Sequence, residues 1–191
     1  MNSALTNSIS LLWVFLAGCI DNEAAPVSKD PDKAGDVPEM EYDETGLLYT
    51  TLDQLVMAGY QGWFAAEGDG SDRGWYHYQR AGKFEPGFST IDFWPEVKEY
   101  SQTYETAFRY KDGSPAYLFS SYDEESVDLH FKWMKDYGID GVHMQRFVVE
   151  IKEGNAKGKR HFNKVLSNAL KAAKKYGRAI SVMYDLSGCG P

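Results

Sequence analysis

The stretch Tyr137-Gly138-Ile139-Asp140-Gly141-Val142-His143-Met144-Gln145-Arg146-Phe147 decides how this chain is read. Val142 and Met144 alternate with His143 and Gln145, the period of a strand with one apolar and one polar side. Upstream, Asp123–Tyr137 has helical spacing: Val127, Phe131 and Met134 share one side, with Lys132 and Lys135 turned away. Ser121 and Glu124 read as a capping box opening that helix, and Gly138 as its stop. The order then repeats. A helix over His161–Tyr176 precedes Gly177 and a strand over Ala179–Tyr184, with Asp185 just beyond it. There Ile180 and Val182 oppose Ser181 and Asp185. Repeated αβ units predict a parallel α/β sheet or barrel. In such folds ligands gather at the C-terminal ends of the strands.

Working outward, Val56–Gln61 reads as a first strand, with Val56, Ala58 and Tyr60 opposing Met57, Gly59 and Gln61. It runs into Gly62-Trp63-Phe64. Ala116–Phe119 reads as the second strand, and Pro95 suits the first turn of a short helix from Trp94. Residues 65–90 form a long glycine-rich segment that carries Trp75, Tyr76, His77 and Tyr78. Those aromatics predict an ordered loop folding over the strand ends. A mildly polar side on three strands suits a barrel interior near a site. The expected fold class is α/β, a partial (β/α)8 barrel of TIM type with its first four or so strands, truncated at the C-terminus. A whole barrel takes about 250 residues, and this chain has 191.

The domain is expected over residues 47–191. Before it, Ile9–Ala17 is an apolar run ending in Leu16-Ala17-Gly18-Cys19. It is too short for a membrane-spanning helix, which needs about 20 residues, and it has the form of an export signal. A cysteine after Leu-Ala-Gly resembles the lipobox of bacterial lipoproteins, where the thiol takes a diacylglycerol. No Lys or Arg precedes the run, and a buried cysteine in an apolar segment is the plainer alternative. Residues 20–45 then hold Asp21, Glu23, Asp30, Asp32, Asp36, Glu39, Glu41, Asp43 and Glu44 against Lys29 and Lys33, so nearly all of the net charge of −8 lies there. Such a segment has little to bury. The expected organisation is a signal peptide over 1–18, an acidic tether over 19–46 that does not fold, and the domain. This places the protein outside the cytoplasm, anchored by lipid at Cys19 to a bacterial outer membrane or cell surface.

Several function classes recede. Lys164, Lys171, Lys174 and Lys175 lie on the polar side of the last helix, and no acid occurs between Gly154 and Tyr184. A solvated basic face fits better than a nucleic-acid surface, since no nucleic-acid motif accompanies it. With Cys19 lipidated, Cys189 has no disulfide partner. His77, His130, His143 and His161 lack metal-ligand spacing. Asp69-Gly70-Ser71-Asp72 is an incomplete calcium loop. No phosphate-binding glycine loop follows a strand. The sequence therefore calls for no cofactor and no metal.

Three further stretches complete the picture: Gly59-Tyr-Gln-Gly-Trp-Phe64, Gly74-Trp-Tyr-His-Tyr78 and Ile91-Asp-Phe-Trp-Pro-Glu96. With Tyr117-Leu-Phe-Ser-Ser-Tyr122 and Gly138–Phe147, they make the chain from about residue 50 onward resemble bacterial proteins of glycoside hydrolase families 71 and 99. The resemblance implies a (β/α)8 barrel acting on α-linked glycans, with endo-α-mannosidases among the relatives. It also implies essential carboxylates in a late Trp-Asn-Glu-x-x-Glu-like segment, and nothing in this sequence matches that segment. The chain then corresponds to an N-terminal half.

Glycoside hydrolysis uses two carboxyl groups, one protonated and one ionised. Asp185, directly after a strand, is the candidate catalytic acid or base; capping its own loop is the alternative. Glu150 and Asp69 are weaker candidates. His143, Gln145, Arg146, Gln61 and Tyr184 are candidate hydrogen-bonding groups for a glycan, with Arg146 alternatively paired to Asp185. Trp63, Trp75 and His77 suit a wall on which a sugar's C–H face stacks, and core packing is the equal alternative. Three functions are carried forward: a glycan hydrolase, a non-catalytic glycan-binding lipoprotein, and an unrelated barrel hydrolase.

Overall fold

The computed structural model describes residues 48–189. The export signal, Cys19 and the whole acidic tether lie outside the described residues.

Chain order is β1 (Met57–Tyr60), β2 (Tyr104–Arg109), β3 (Pro115–Leu118), α1 (Glu124–Asp136), β4 (Gly141–Phe147), α2 (Val148–Ile151), α3 (Ala156–Tyr176) and β5 (Ala179–Asp185). β1, β4 and β5 form one parallel sheet in that order. The register aligns Ala58 with Val142 and Ile180, and Tyr60 with Met144 and Val182. All six pack in one core with Val127, Phe131 and Met134 of α1 and Val165, Leu166, Ala169, Ala172 and Ala173 of α3. Both long helices therefore cover the same face of the sheet. Burying side chains such as Phe131 and Val165, each 0% exposed, stabilises the fold by roughly 1.5–3 kcal/mol apiece.

The two αβ units end as their glycines require. α3 closes on Gly177 in the left-handed region, its amide donating to the Ala173 carbonyl. Gly138, one residue past the α1 cap Tyr137, has φ of 76°. An L-residue adopts such values at a cost. α3 begins earlier than the apolar spacing indicates: the Asn155 side chain accepts from the Gly158 amide at 2.9 Å and starts the helix at Ala156.

Three local expectations are corrected. The expected second stave, Ala116–Phe119, does not join the parallel sheet. β3 pairs antiparallel with β2 in a separate two-stranded sheet. The turn at Asp112-Gly113-Ser114 makes that hairpin: Gly113 has φ of 84°, and the Asp112 carboxylate accepts from the Ser114 amide at 3.0 Å. No helix starts at Trp94, because its indole N–H donates to the Tyr117 carbonyl at 2.9 Å and its ring packs on Phe84 and Phe108. Ser121 does not cap α1, which starts after Asp123. The Ser120 hydroxyl instead accepts from the Tyr122 amide, and the Ser121 amide donates to Phe64.

Residues 65–90 are held by a second, smaller core. Tyr78, Phe84 and Leu118 are buried there, with Phe64, Trp75, Ile91, Trp94 and Phe108 against them. This core fastens the long segment to the β2–β3 hairpin beside the exit of β1.

Candidate functional site

The other face of the parallel sheet carries the polar side chains of His143, Gln145, Ser181 and Asp185, with Met183 and Phe147 among them. His143 aligns with Gly59 on one side and Ser181 on the other. His143 Nδ1 lies 2.6 Å from the Ser181 hydroxyl. Two residues on, Gln145 Nε2 donates to Asp185 Oδ2, while Oδ1 accepts from the Ser187 amide at 2.7 Å. His143, Gln145 and Asp185 thus meet at the C-terminal end of the sheet, on the face away from the helices. Gly59 leaves open space beside His143, where a larger residue would project.

Asp185 is held in its charged form. Hydrogen bonds from Ser187, and then from Gln145, keep its carboxyl below the usual carboxylate range.

Arg146 and Tyr184 take the opposite face. The register pairs them, and parity turns both toward the helices. Arg146 is buried, donating to the Phe162 carbonyl at 3.2 Å and to Asn163 Oδ1 at 2.6 Å. It does not pair with Asp185. The alternation that puts Gln145 on the open face forces Arg146 to the other.

An aromatic shelf adjoins the polar group. Trp63 stacks between His77, centroids 4.3 Å apart, and Phe147, 5.5 Å apart, each at 18°. Phe147 aligns with Asp185 across β4 and β5, so the shelf reaches the strand end that bears the acid. Trp63, Phe64, Tyr76, His77, Gln79, Thr90 and Ile91 line an open groove of about 390 Å³. His77 has φ of 63°, and its carbonyl accepts from the Thr90 hydroxyl at 2.5 Å. Burial, followed by the charge of Arg73, lowers the affinity of its imidazole for a proton. Trp75 packs on Tyr78 and Phe84 inside the second core and lines no groove.

Gln61 lines a smaller cleft of about 150 Å³ at the exit of β1, with Tyr60, Gly62, Ser121 and His130. His130 is held by two tyrosines: Nδ1 lies 2.8 Å from the Tyr60 hydroxyl and Nε2 2.6 Å from that of Tyr100. Burial pulls its imidazole down to about 4. His161 is wholly buried, with Nε2 3.0 Å from the Gly62 carbonyl, and burial pulls it down to about 4 as well.

The two weaker acid candidates, Asp69 and Glu150, are both tied to neighbouring groups. Asp69 accepts from the Ala66 and Ser71 amides and from the Ser120 hydroxyl at 2.6 Å. Asp72 pairs with Arg160 at 2.8 Å. Those partners occupy the carboxylates of the incomplete calcium loop, and among the described residues no cluster of His, Cys, Asp and Glu is arranged to hold a metal. Glu150, on α2, accepts from Arg73 Nη2 at 2.7 Å, from Asn155 Nδ2 at 3.3 Å and from the Tyr76 hydroxyl. Burial acts to raise its carboxyl, but the Tyr76 and Arg73 hydrogen bonds and the Arg73 charge outweigh it and hold it low. Tyr76 is pushed up to about 12, by burial first and then by its bond to Glu150. No sequence spacing announces this grouping, because Arg73 and Glu150 lie 77 residues apart.

The arrangement sets a stack of aromatic rings beside a pair of hydrogen-bonding side chains. It also supplies an anionic carboxylate. A carboxylic acid ready to donate a proton is not part of it. Among the described acids the carboxyl pushed upward is Asp123, by burial first, and Asp123 accepts from the Tyr104 hydroxyl and lines neither cleft. Among the described residues no helix is long and apolar enough to cross a membrane. No protein-family model, curated protein or solved structure matches the chain.

Proposed function

We propose that the protein is a carbohydrate-active protein of the glycoside hydrolase type, acting on α-linked glycans, and that the described domain is an arc of a (β/α)8 barrel. The barrel reading is supported by strand order β1-β4-β5 with both long helices on one face. Doubly wound sheets place helices on both faces, whereas a barrel places them all outside. A parallel sheet with one face uncovered is also unusual outside such an arc.

The observation that carries the functional reading is the meeting of the Trp63 shelf with His143, Gln145 and Asp185 at the C-terminal ends of parallel strands. Sugars present an apolar C–H face and a rim of hydroxyls; the outer surface of the His77–Trp63–Phe147 stack suits the first and the Gln145–Asp185 pair the second. Asp185, ionised, suits a base, a nucleophile or a stabiliser of positive charge at the anomeric carbon. The resemblance to families 71 and 99 in Gly59–Phe64 and Gly138–Phe147 points the same way. A lipid anchor at Cys19 would display the domain at a bacterial surface.

A second reading, a non-catalytic glycan-binding lipoprotein, is favoured by Asp185 and Glu150 both being held toward the charged form, so neither of these two candidates is poised to donate a proton. One experiment separates them. The full chain, Asp185→Asn and Trp63→Ala are assayed for binding and hydrolysis on an array of α-linked glycans. Hydrolysis by the wild type, lost in Asp185→Asn, supports the hydrolase. Binding without hydrolysis, weakened at least tenfold in Trp63→Ala, supports the lectin-like reading. Wild-type protein that binds no glycan sinks both.

A further inference from the structure

We propose that Glu150 is a positioning residue for the aromatic groove: its carboxylate clamps the Arg73–Tyr76 segment and thereby holds His77 stacked on Trp63. The proposal rests on the reading of that groove as the ligand site, and it adds the device that shapes it.

Glu150 follows Phe147 by three residues, just past the end of β4. The same turn therefore carries the floor of the shelf, Phe147, and the acid that fastens its far side. Glu150 takes Arg73 and Asn155 on Oε2 and Tyr76 on Oε1. The Arg73 guanidinium lies 3.5 Å from the centre of the Tyr76 ring, and the Arg73–Glu150 pair is nearly shielded, with side chains 7% and 17% exposed. Charge-assisted bonds in such surroundings are strong and directional. Tyr76 then meets His77 edge-on, centroids 4.3 Å apart at 82°. His77 in turn lies flat on Trp63.

A clamp is needed because the His77 backbone is left-handed. A non-glycine residue holds that conformation only where its surroundings over-determine it. The Thr90 bond fixes the His77 carbonyl, and the clamp fixes the residue before it. Glu150 takes three donors and its side chain is largely shielded, so the carboxylate is engaged within the loop. Its role is exercised through Tyr76 and Arg73.

The test is the titration of the His77 imidazole by NMR in the full chain, compared with Glu150→Gln and Tyr76→Phe. Arg73 and Glu150 are the charged groups that act on His77, and they act in opposite directions. This gives the outcomes opposite signs. If Glu150 positions the loop, Glu150→Gln frees His77 into water, and its pKa rises toward the ordinary imidazole value of about 6.5. Trp63 fluorescence should change with it. If Glu150 acts only by its charge, the stack survives with Arg73 uncompensated, and the His77 pKa falls further; that result overturns the proposal. An unchanged titration overturns it too. Should Glu150→Gln fail to fold, Tyr76→Phe, which keeps both charges and removes one bond, decides: a pKa displaced upward supports the clamp and an unmoved one refutes it. No sugar enters the experiment, so its failure leaves the glycan reading standing, and a failed glycan assay leaves the clamp standing.

Discussion

Acid should destabilise this protein well above the range in which carboxylates titrate, and two histidines set the amount. His130 and His161 are each pulled by burial to about 4 from an ordinary 6.5. Folded, they stay neutral down to about pH 4; unfolded, they take up protons below about pH 6.5. Stability is therefore fully present above 6.5 and is lost as pH falls between 6.5 and 4. Going from pH 7 to pH 5, the linkage relation gives a loss of about 2 kcal/mol per histidine, or roughly 4 kcal/mol for both. His77, also lowered, adds in the same direction. Against a typical total of about 5–15 kcal/mol, this is a large share. Urea unfolding of the full chain at pH 7, 6 and 5, followed by tryptophan fluorescence, reads it as a fall in midpoint. His161→Gln places an amide N–H near the Nε2 position facing the Gly62 carbonyl without the titration, so it should remove about half of the pH dependence. Equal midpoints at pH 7 and pH 5 would refute the reasoning, as would an NMR titration of His161 centred near 6.5.

Phe131 is 0% exposed in the main core, so Phe131→Ala should cost about 3–5 kcal/mol in chemical unfolding; a loss under 1 kcal/mol would mean that this core is not what holds α1 to the sheet. Gly62 has φ of 60°, and an added Cβ would overlap Val165 Cγ1. Gly62→Ala is expected to lower stability by about 1–3 kcal/mol, and a thermal midpoint equal to wild type would contradict the close approach of β1's exit to α3.

The αβ repeat was legible because its signals are local. Val142 and Met144 alternate with His143 and Gln145 within one strand, and the glycines at 138 and 177 end their helices within a turn. That alternation also brought His143, Gln145 and Asp185 to one face. The same rule puts Arg146 on the other face, so the expected alternative of an Arg146–Asp185 pair does not form. What stayed hidden was long-range. The Glu150 clamp joins residues far apart in sequence, and the His130 tyrosine pair draws on β1, α1 and the loop before β2. Trp75 and Trp63 look equivalent in sequence, and tertiary packing sends one into a core and the other to a groove. The β2–β3 hairpin did leave a local mark, Asp112-Gly113 between two apolar runs. That turn does not enter the reading of Ala116–Phe119 as a second parallel strand.

The spacing of the three parallel strands has a consequence for the order of folding. His143 and Ser181 are 38 residues apart, whereas Val56 meets Asp140 across 84. Closing the longer loop costs about 0.7 kcal/mol more in chain entropy, and the shorter segment contains α3, with α1 directly before β4. The α1-β4-α3-β5 half therefore makes the natural nucleus, and β1 docks onto it late. On a ribosome this inverts the order of synthesis. β1 emerges early and waits, unpaired, until β4 and β5 have left the exit tunnel.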